Sequence, residues 1–129
     1  MKITSFLSLY FAAALIASGQ GTFLYDQQSA TAGLTTFGVS INQAQPLGQA
    51  FTPSLSGIGF VQLQVDNALN LTNATLAVNL WADSLGGTLL ASTEPLSLPA
   101  GYRAISTTFL FASPVTVNPG STYYLGLCT

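Results

Sequence analysis

The chain reads as an all-β protein, a sandwich or barrel of short strands. Three observations predict this. Apolar residues alternate with others in separate stretches: Val61, Leu63 and Val65; Leu76, Val78 and Leu80; Ile105, Thr107, Phe109 and Phe111. That period of two is the signature of a strand with one face toward a core. Clusters of Gly, Pro and Asn punctuate the chain between these stretches, as turns would. Beyond the first residues, no stretch of helical length repeats its apolar positions every ~3.6 residues.

Residues 1–21 carry the pattern of a secretory signal peptide. Lys2 is a short positive region, Phe6 to Ala17 an apolar one, and Ala17-Ser18-Gly19 or Gly19-Gln20-Gly21 supplies small residues for cleavage before Gln20 or Thr22. The apolar run falls short of the ~20 residues of a membrane span, although an uncleaved N-terminal anchor is the alternative. No later stretch is long and apolar enough to cross, so the mature chain, residues 22–129, is expected to form one domain without a span.

Within that domain, Phe23-Leu24-Tyr25 opens a first strand, and Asp26 to Gly33 is a loop. Thr35 to Ile41 forms a short strand, and Asn42 to Gly48 a connection. Gln49 to Thr52 is a brief strand stopped by Pro53. Phe60 to Asp66 is the first clear alternator, with Val61, Leu63 and Val65 on one side and Gln62, Gln64 and Asp66 on the other. Asn67 to Asn73 is a polar loop that contains leucines and one glycosylation-type triplet, Asn70-Leu71-Thr72. The stretch Ala74 to Leu98 organises the rest. A strand carrying Leu76, Val78 and Leu80 turns at Gly86-Gly87 and returns over Thr88 to Ala91, and Pro95 ends it. Pro99-Ala100-Gly101 turns into the strand of Phe109 and Phe111, which Pro114 is expected to break, leaving Val115 to Val117 as an edge piece. Asn118-Pro119-Gly120-Ser121 suits a type II turn, with Pro second and Gly third. Tyr123, Leu125 and Leu127 close the chain as a last strand.

Composition excludes several functions. The 129 residues are 49% hydrophobic and 5% charged, with two Lys plus Arg, four Asp plus Glu and no His. Arg103 is the one cation beyond the leader. A nucleic-acid partner is therefore not expected, since such binding needs several cations to displace phosphate counterions. Without His, no Ser–His or Cys–His pair can form, and no carboxyl pair sits in a motif of glycoside hydrolysis. The expectation is a protein that is not an enzyme. Cys128, the sole cysteine, has no internal disulfide partner. An inert, packed thiol is the expected state, with an intermolecular bond as the alternative.

Two constellations could bind. With Leu76, Val78 and Leu80 facing a core, strand parity puts Asn79, Trp81 and Asp83 on the opposite face. An aromatic face flanked by an amide and a carboxylate suits a sugar, whose C–H groups stack on the ring while its hydroxyls bond the polar groups. The structural alternative is that Trp81 folds under a loop and seals an edge. Asp66, Asn67 and Asn70 offer hard oxygen atoms from one loop, to which Asp26 or Asp83 could add a carboxylate for a structural calcium ion. Their spacing matches no EF-hand, and loop residues of this kind also bond their own backbone. No other cofactor is expected.

The order of these pieces resembles a known family. Gln49-Ala50-Phe51-Thr52 and Phe60-Val61-Gln62-Leu63 are followed by the Leu76–Leu80 alternation running into Trp81-Ala82-Asp83. Gly-Gly-Thr-Leu-Leu-Ala at 86–91 and Asn-Pro-Gly-Ser-Thr-Tyr-Tyr-Leu at 118–125 then complete the series. This series, over residues 23–128, is similar to the choice-of-anchor extracellular domains of bacterial exported proteins, many of which carry a PEP-CTERM sorting signal. The resemblance implies a jelly-roll-like two-sheet antiparallel sandwich, a secreted or cell-surface location, and association with exopolysaccharide or surface matrix. It implies no catalytic residues. The family continues with further strands, so a chain ending at Thr129 is expected to be a fragment lacking its last strands, or else a released form. Carbohydrate binding, to a polysaccharide, is the alternative to a purely structural matrix role.

Overall fold

A computed structural model describes residues 24–26, 41, 43, 45–103 and 106–129. The expected leader and, apart from Ile41, the strand expected over Thr35 to Ile41 lie outside the described residues. Among the described residues the fold is all-β: β1 (Gly48–Phe51), β2 (Gly57–Leu63), β3 (Ala74–Ala82), β4 (Thr88–Ser92), β5 (Leu96–Leu98), β6 (Thr107–Thr116) and β7 (Tyr123–Cys128). Leu24 and Tyr25 do not join a strand. Tyr25 instead sets its ring edge-on against Phe60, 5.3 Å between centroids.

The strands form two antiparallel sheets. One runs β1-β7-β3-β4, with β5 also paired to β3; the other is the pair β2-β6. β3 is the hub. Its first half pairs β5 (Ala74↔Leu98) and its second half β4 (Leu80↔Ala91), while β7 lies along its other side (Val78↔Leu127, Leu80↔Leu125). The alternating apolar positions do what their period demands. Leu76, Val78 and Leu80 are fully buried, and they share one cluster with Val61, Phe109 and Phe111 of the second sheet and with Leu98, Val117 and Tyr123. Leu63 is half-buried against that cluster.

One expectation about proline holds and one is corrected. The returning strand β4 ends at Ser92, ahead of Pro95, although pairing with β3 resumes at Leu96 as the separate strand β5. Between the two pieces, Thr93 crosses toward the other sheet. Its N–H donates to Val78 O (2.9 Å), its Oγ1 accepts Val78 N–H (2.9 Å), and it forms a bridge with Phe111 of β6. Glu94 N–H then donates to Leu110 O, also on β6. Pro95 sits where the chain has left the ladder, so its missing N–H breaks no β3 bond. Pro114, by contrast, does not break β6, which continues to Thr116. Between Leu110↔Phe60 and Val115↔Ile58, β6 advances five residues while β2 advances two. Pro114 lies exposed in that bulge, where no ladder donor is needed.

The turns follow the expected chemistry. Ser121 N–H donates to Asn118 O at 3.1 Å across a turn with Gly120 at φ 80°, the geometry of type II. Tyr102 N–H closes the Pro99 turn on Pro99 O at 3.0 Å, with Gly101 at φ 74°. The Gly86-Gly87 reversal is wider than a two-residue turn, running from Asp83 to Gly87 between β3 and β4.

Candidate functional site

The outward face of the five-stranded sheet is set by pairing. Asn79 lies opposite Gly126 of β7 and Ser92 of β4, and Trp81 opposite Tyr124 and Leu89. Gly126 is in turn opposite Gly48 of β1, and Tyr124 opposite Ala50. Two rows therefore cross the sheet, one of Leu89, Trp81, Tyr124 and Ala50, the other of Ser92, Asn79, Gly126 and Gly48. Neither row holds an ionisable acid or base of neutral pH. Sequence reasoning could not place this tyrosine beside Trp81, because the two are more than forty residues apart in the chain. Its signal was the Tyr123-Tyr124 doublet, of which strand parity must send one ring in and one out.

Trp81 is half-buried. Its six-membered ring lies across the backbone of Gly126, where a Cβ would stand 2.9 Å from Cη2. Leu85, from the turn after β3, covers Gly48 and the other side of Gly126. A strip of two glycines thus lets an aromatic ring and a leucine lie close on the sheet, an approach that any side chain would block. Asn79 Oδ1 accepts Ser92 Oγ–H (2.7 Å) and a long contact from Cys128 Sγ (3.6 Å). Cys128 is half-buried and free, and its thiol also points at Ala77 O (3.6 Å). Asp83 is exposed at the end of β3, in the left-handed region at φ 66°, and its Oδ2 accepts Thr88 Oγ1–H at 3.2 Å. Asn79 and Trp81 thus share one face, while Asp83 secures its own turn beyond them.

The Asp66, Asn67 and Asn70 loop is built around one side chain. Asn67 is 2% exposed. Its Nδ2 donates to Thr72 O (2.8 Å), Leu98 O (3.1 Å) and Pro99 O (3.1 Å), and its Oδ1 accepts Asn70 Nδ2–H. Its backbone N–H donates to Tyr102 O (2.8 Å), and its carbonyl accepts Gly101 N–H (3.0 Å). The amide brackets the 67–73 loop to the 98–102 turn. Asp66 is exposed and bridges through its backbone to Arg103.

Asp66 and Asp83, which a shared calcium site would need side by side, do not share a rim. Asp66 follows β2 and Asp83 follows β3, strands of different sheets. Asn67 bonds Leu98, the partner of Ala74 at the start of β3, whereas Asp83 follows its end. Eight residue steps separate those ends, on the order of 25 Å at strand rise. Asp26 stands elsewhere again, accepting the Ser54 hydroxyl and the N–H groups of Ser54 (2.7 Å) and Leu55 (3.2 Å).

On the inward side, an open recess of about 190 Å³ is lined mainly by Leu47, Leu63, Val78, Leu125 and Leu127, with Gln49 beside them. No protein family matches this chain, and neither does any curated protein or solved structure.

Proposed function

We propose that this chain is an exported, non-catalytic β-sandwich domain of jelly-roll type, akin to the choice-of-anchor proteins, acting at the cell surface or in the extracellular matrix by contact rather than by chemistry. The observation that carries this reading is the outward face of the five-stranded sheet. Its two rows carry no charge and are assembled from Gly, Ala, Ser, Asn and Leu around two aromatic residues. Such a face adheres; it has no group to move a proton. The separation of Asp66 from Asp83 supports the same reading, because paired carboxyl catalysis needs about 5–10 Å. The leader-like first 21 residues support export.

One observation favours a polysaccharide as the partner. Trp81 and Tyr124 are directly cross-strand, which puts two aromatic residues on the face that carries the polar Asn79–Ser92 pair. A sugar ring would stack on one of these rings and bond the amide and hydroxyl. Trp81 is the only tryptophan, so its fluorescence reports this face alone. Titration with a panel of neutral and acidic polysaccharides should give a saturable change with at least one of them. Tyr124→Ala and Asn79→Ala should each weaken that binding about tenfold, a loss of ~1.4 kcal/mol. A flat titration across the panel rejects the polysaccharide and leaves adhesion to a protein matrix. Release of reducing sugar by the purified protein rejects the non-catalytic reading itself.

A further inference from the structure

The outward face of the five-stranded sheet stays uncharged beyond its two aromatic and glycine rows. Because Leu76, Val78 and Leu80 point inward, Thr75 and Ala77 join Asn79 and Trp81 on the outer side. Pairing sets Ser97 opposite Thr75 and Cys128 opposite Ala77, so two more rows without charge continue the face toward the start of β3. Its polar groups are hydroxyls and an amide. The exposed Ser92 hydroxyl and the half-buried Asn79 amide sit together in the row next to Trp81. Groups of this kind bond sugar hydroxyls, whereas a uronate or a sulfate calls for Arg or Lys.

A charge lies at each end of this face, and the two differ in reach. Arg103 is the one cationic side chain among the described residues. It lies at the far end, bridged through its backbone to Asp66 beside the Asn67 bracket. Seven residue steps from Ala74 to Trp81 span roughly 23 Å at strand rise. Asp83 lies at the near end, exposed and two residues beyond Trp81, roughly 7 Å at the same rise. The Debye length at physiological salt is ~8 Å. The Asp83 carboxylate is therefore felt at Trp81, and the Arg103 cation is screened from it. Asp83 is also held in place, since its Oδ2 accepts Thr88 Oγ1–H at 3.2 Å. Glu94, just past β4, is exposed and adds the same sign.

We infer that this face takes a neutral polysaccharide and turns acidic ones away, with Asp83 setting the choice. This rests on the polysaccharide reading above and narrows it to one class of polymer. A polyanion brings a charge with each acidic sugar. Any such charge laid beside Trp81 meets the Asp83 carboxylate with no cation in reach to offset it. Like charges so placed suppress the wrong partner, which is specificity by repulsion. A neutral polymer meets no such penalty and keeps its stacking and its hydroxyl bonds.

Trp81 fluorescence of the exported chain tests this at about 0.1 M and about 1 M salt, where the Debye length is ~10 Å and ~3 Å. The probes are a neutral β-glucan, a neutral mannan, the same β-glucan carboxymethylated, and alginate. At the lower salt at least one neutral polymer should bind, and both acidic ones at least tenfold more weakly. The higher salt should narrow that difference, and so should Asp83→Asn at the lower salt. Asparagine suits the left-handed backbone of this position, at φ 66°, and keeps an oxygen for Thr88. The variant should therefore keep the wild-type circular dichroism. An acidic polymer that binds as tightly as the neutral ones overturns the inference and leaves the polysaccharide reading standing. A preference that Asp83→Asn leaves unchanged also overturns it, because the choice then lies elsewhere than in this carboxylate. Should the variant lose its fold, the wild-type salt series decides, and a preference undiminished at the higher salt overturns the inference. No fluorescence change with any of the four polymers rejects the polysaccharide reading itself, and the inference with it.

Discussion

At the residue scale, Asn67 shows how one amide can stand where a cation would otherwise be drawn. Three carbonyl oxygens converge on its Nδ2, and a donor is what they require. Replacing it with Asp would face those oxygens with a carboxylate. Asn67→Asp should therefore destabilise the fold by more than Asn67→Ala, which loses about 1–3 kcal/mol for each buried group left unpaired. A calcium site would behave the other way, with added calcium rescuing Asn67→Asp. Urea midpoints with and without 5 mM calcium, roughly 50 times the dissociation constant of a site at the tight end of the extracellular class, separate the two. Asp26 offers a second residue-scale test. The hydrogen bond from the Ser54 hydroxyl, with help from the Ser54 and Leu55 N–H groups, holds its carboxyl below the ordinary Asp value. A group whose pKa is lowered by folding adds stability above its unfolded pKa and loses it as pH falls through the folded value. Asp26→Ala should thus melt earlier than wild type at pH 6. The two melting curves should converge below about pH 4, the unfolded Asp range. A difference that persists unchanged at pH 2 would mean that the carboxylate is not what ties residues 24–26 to the Ser54 turn.

At the element scale, Thr93 is the stitch between sheets. β4 and β5 lie end to end along β3, and Thr93 sits at the gap, 3% exposed. Its hydroxyl oxygen takes the Val78 N–H in place of a strand carbonyl. Thr93→Val keeps the shape and removes that acceptor, leaving a buried N–H unpaired at a cost of about 1–3 kcal/mol. Thr93→Ser keeps the acceptor and should recover most of the loss in a denaturant titration. Proline was a sound stop signal at Pro95, between β4 and β5, and a misleading one at Pro114 inside β6. The sequence shows both as breaks because proline cannot donate to a ladder. Whether a donor is wanted at that position depends on the partner strand. At Pro95 the chain has left β3 for β6, and at Pro114 β6 bulges by three residues relative to β2, so the ladder needs no donor there.

For the whole molecule, the sequence by itself determined the all-β class, the turns at 99–102 and 118–121, and the buried face of each strong alternator. These are local consequences of backbone chemistry and of a period of two, and they hold whatever the neighbours are. The pairing decided the rest. Leu76, Val78 and Leu80 told which side of β3 faces inward, but only β7 brought Tyr124 beside Trp81 and set Gly126 beneath its ring. Only the sheet assignment put Asp66 and Asp83 at opposite ends of the fold. The physical reason is common to all of them. A side chain's direction follows from its own backbone, whereas its neighbours follow from contacts between residues far apart in the chain, and those are chosen by the packing of the two sheets together.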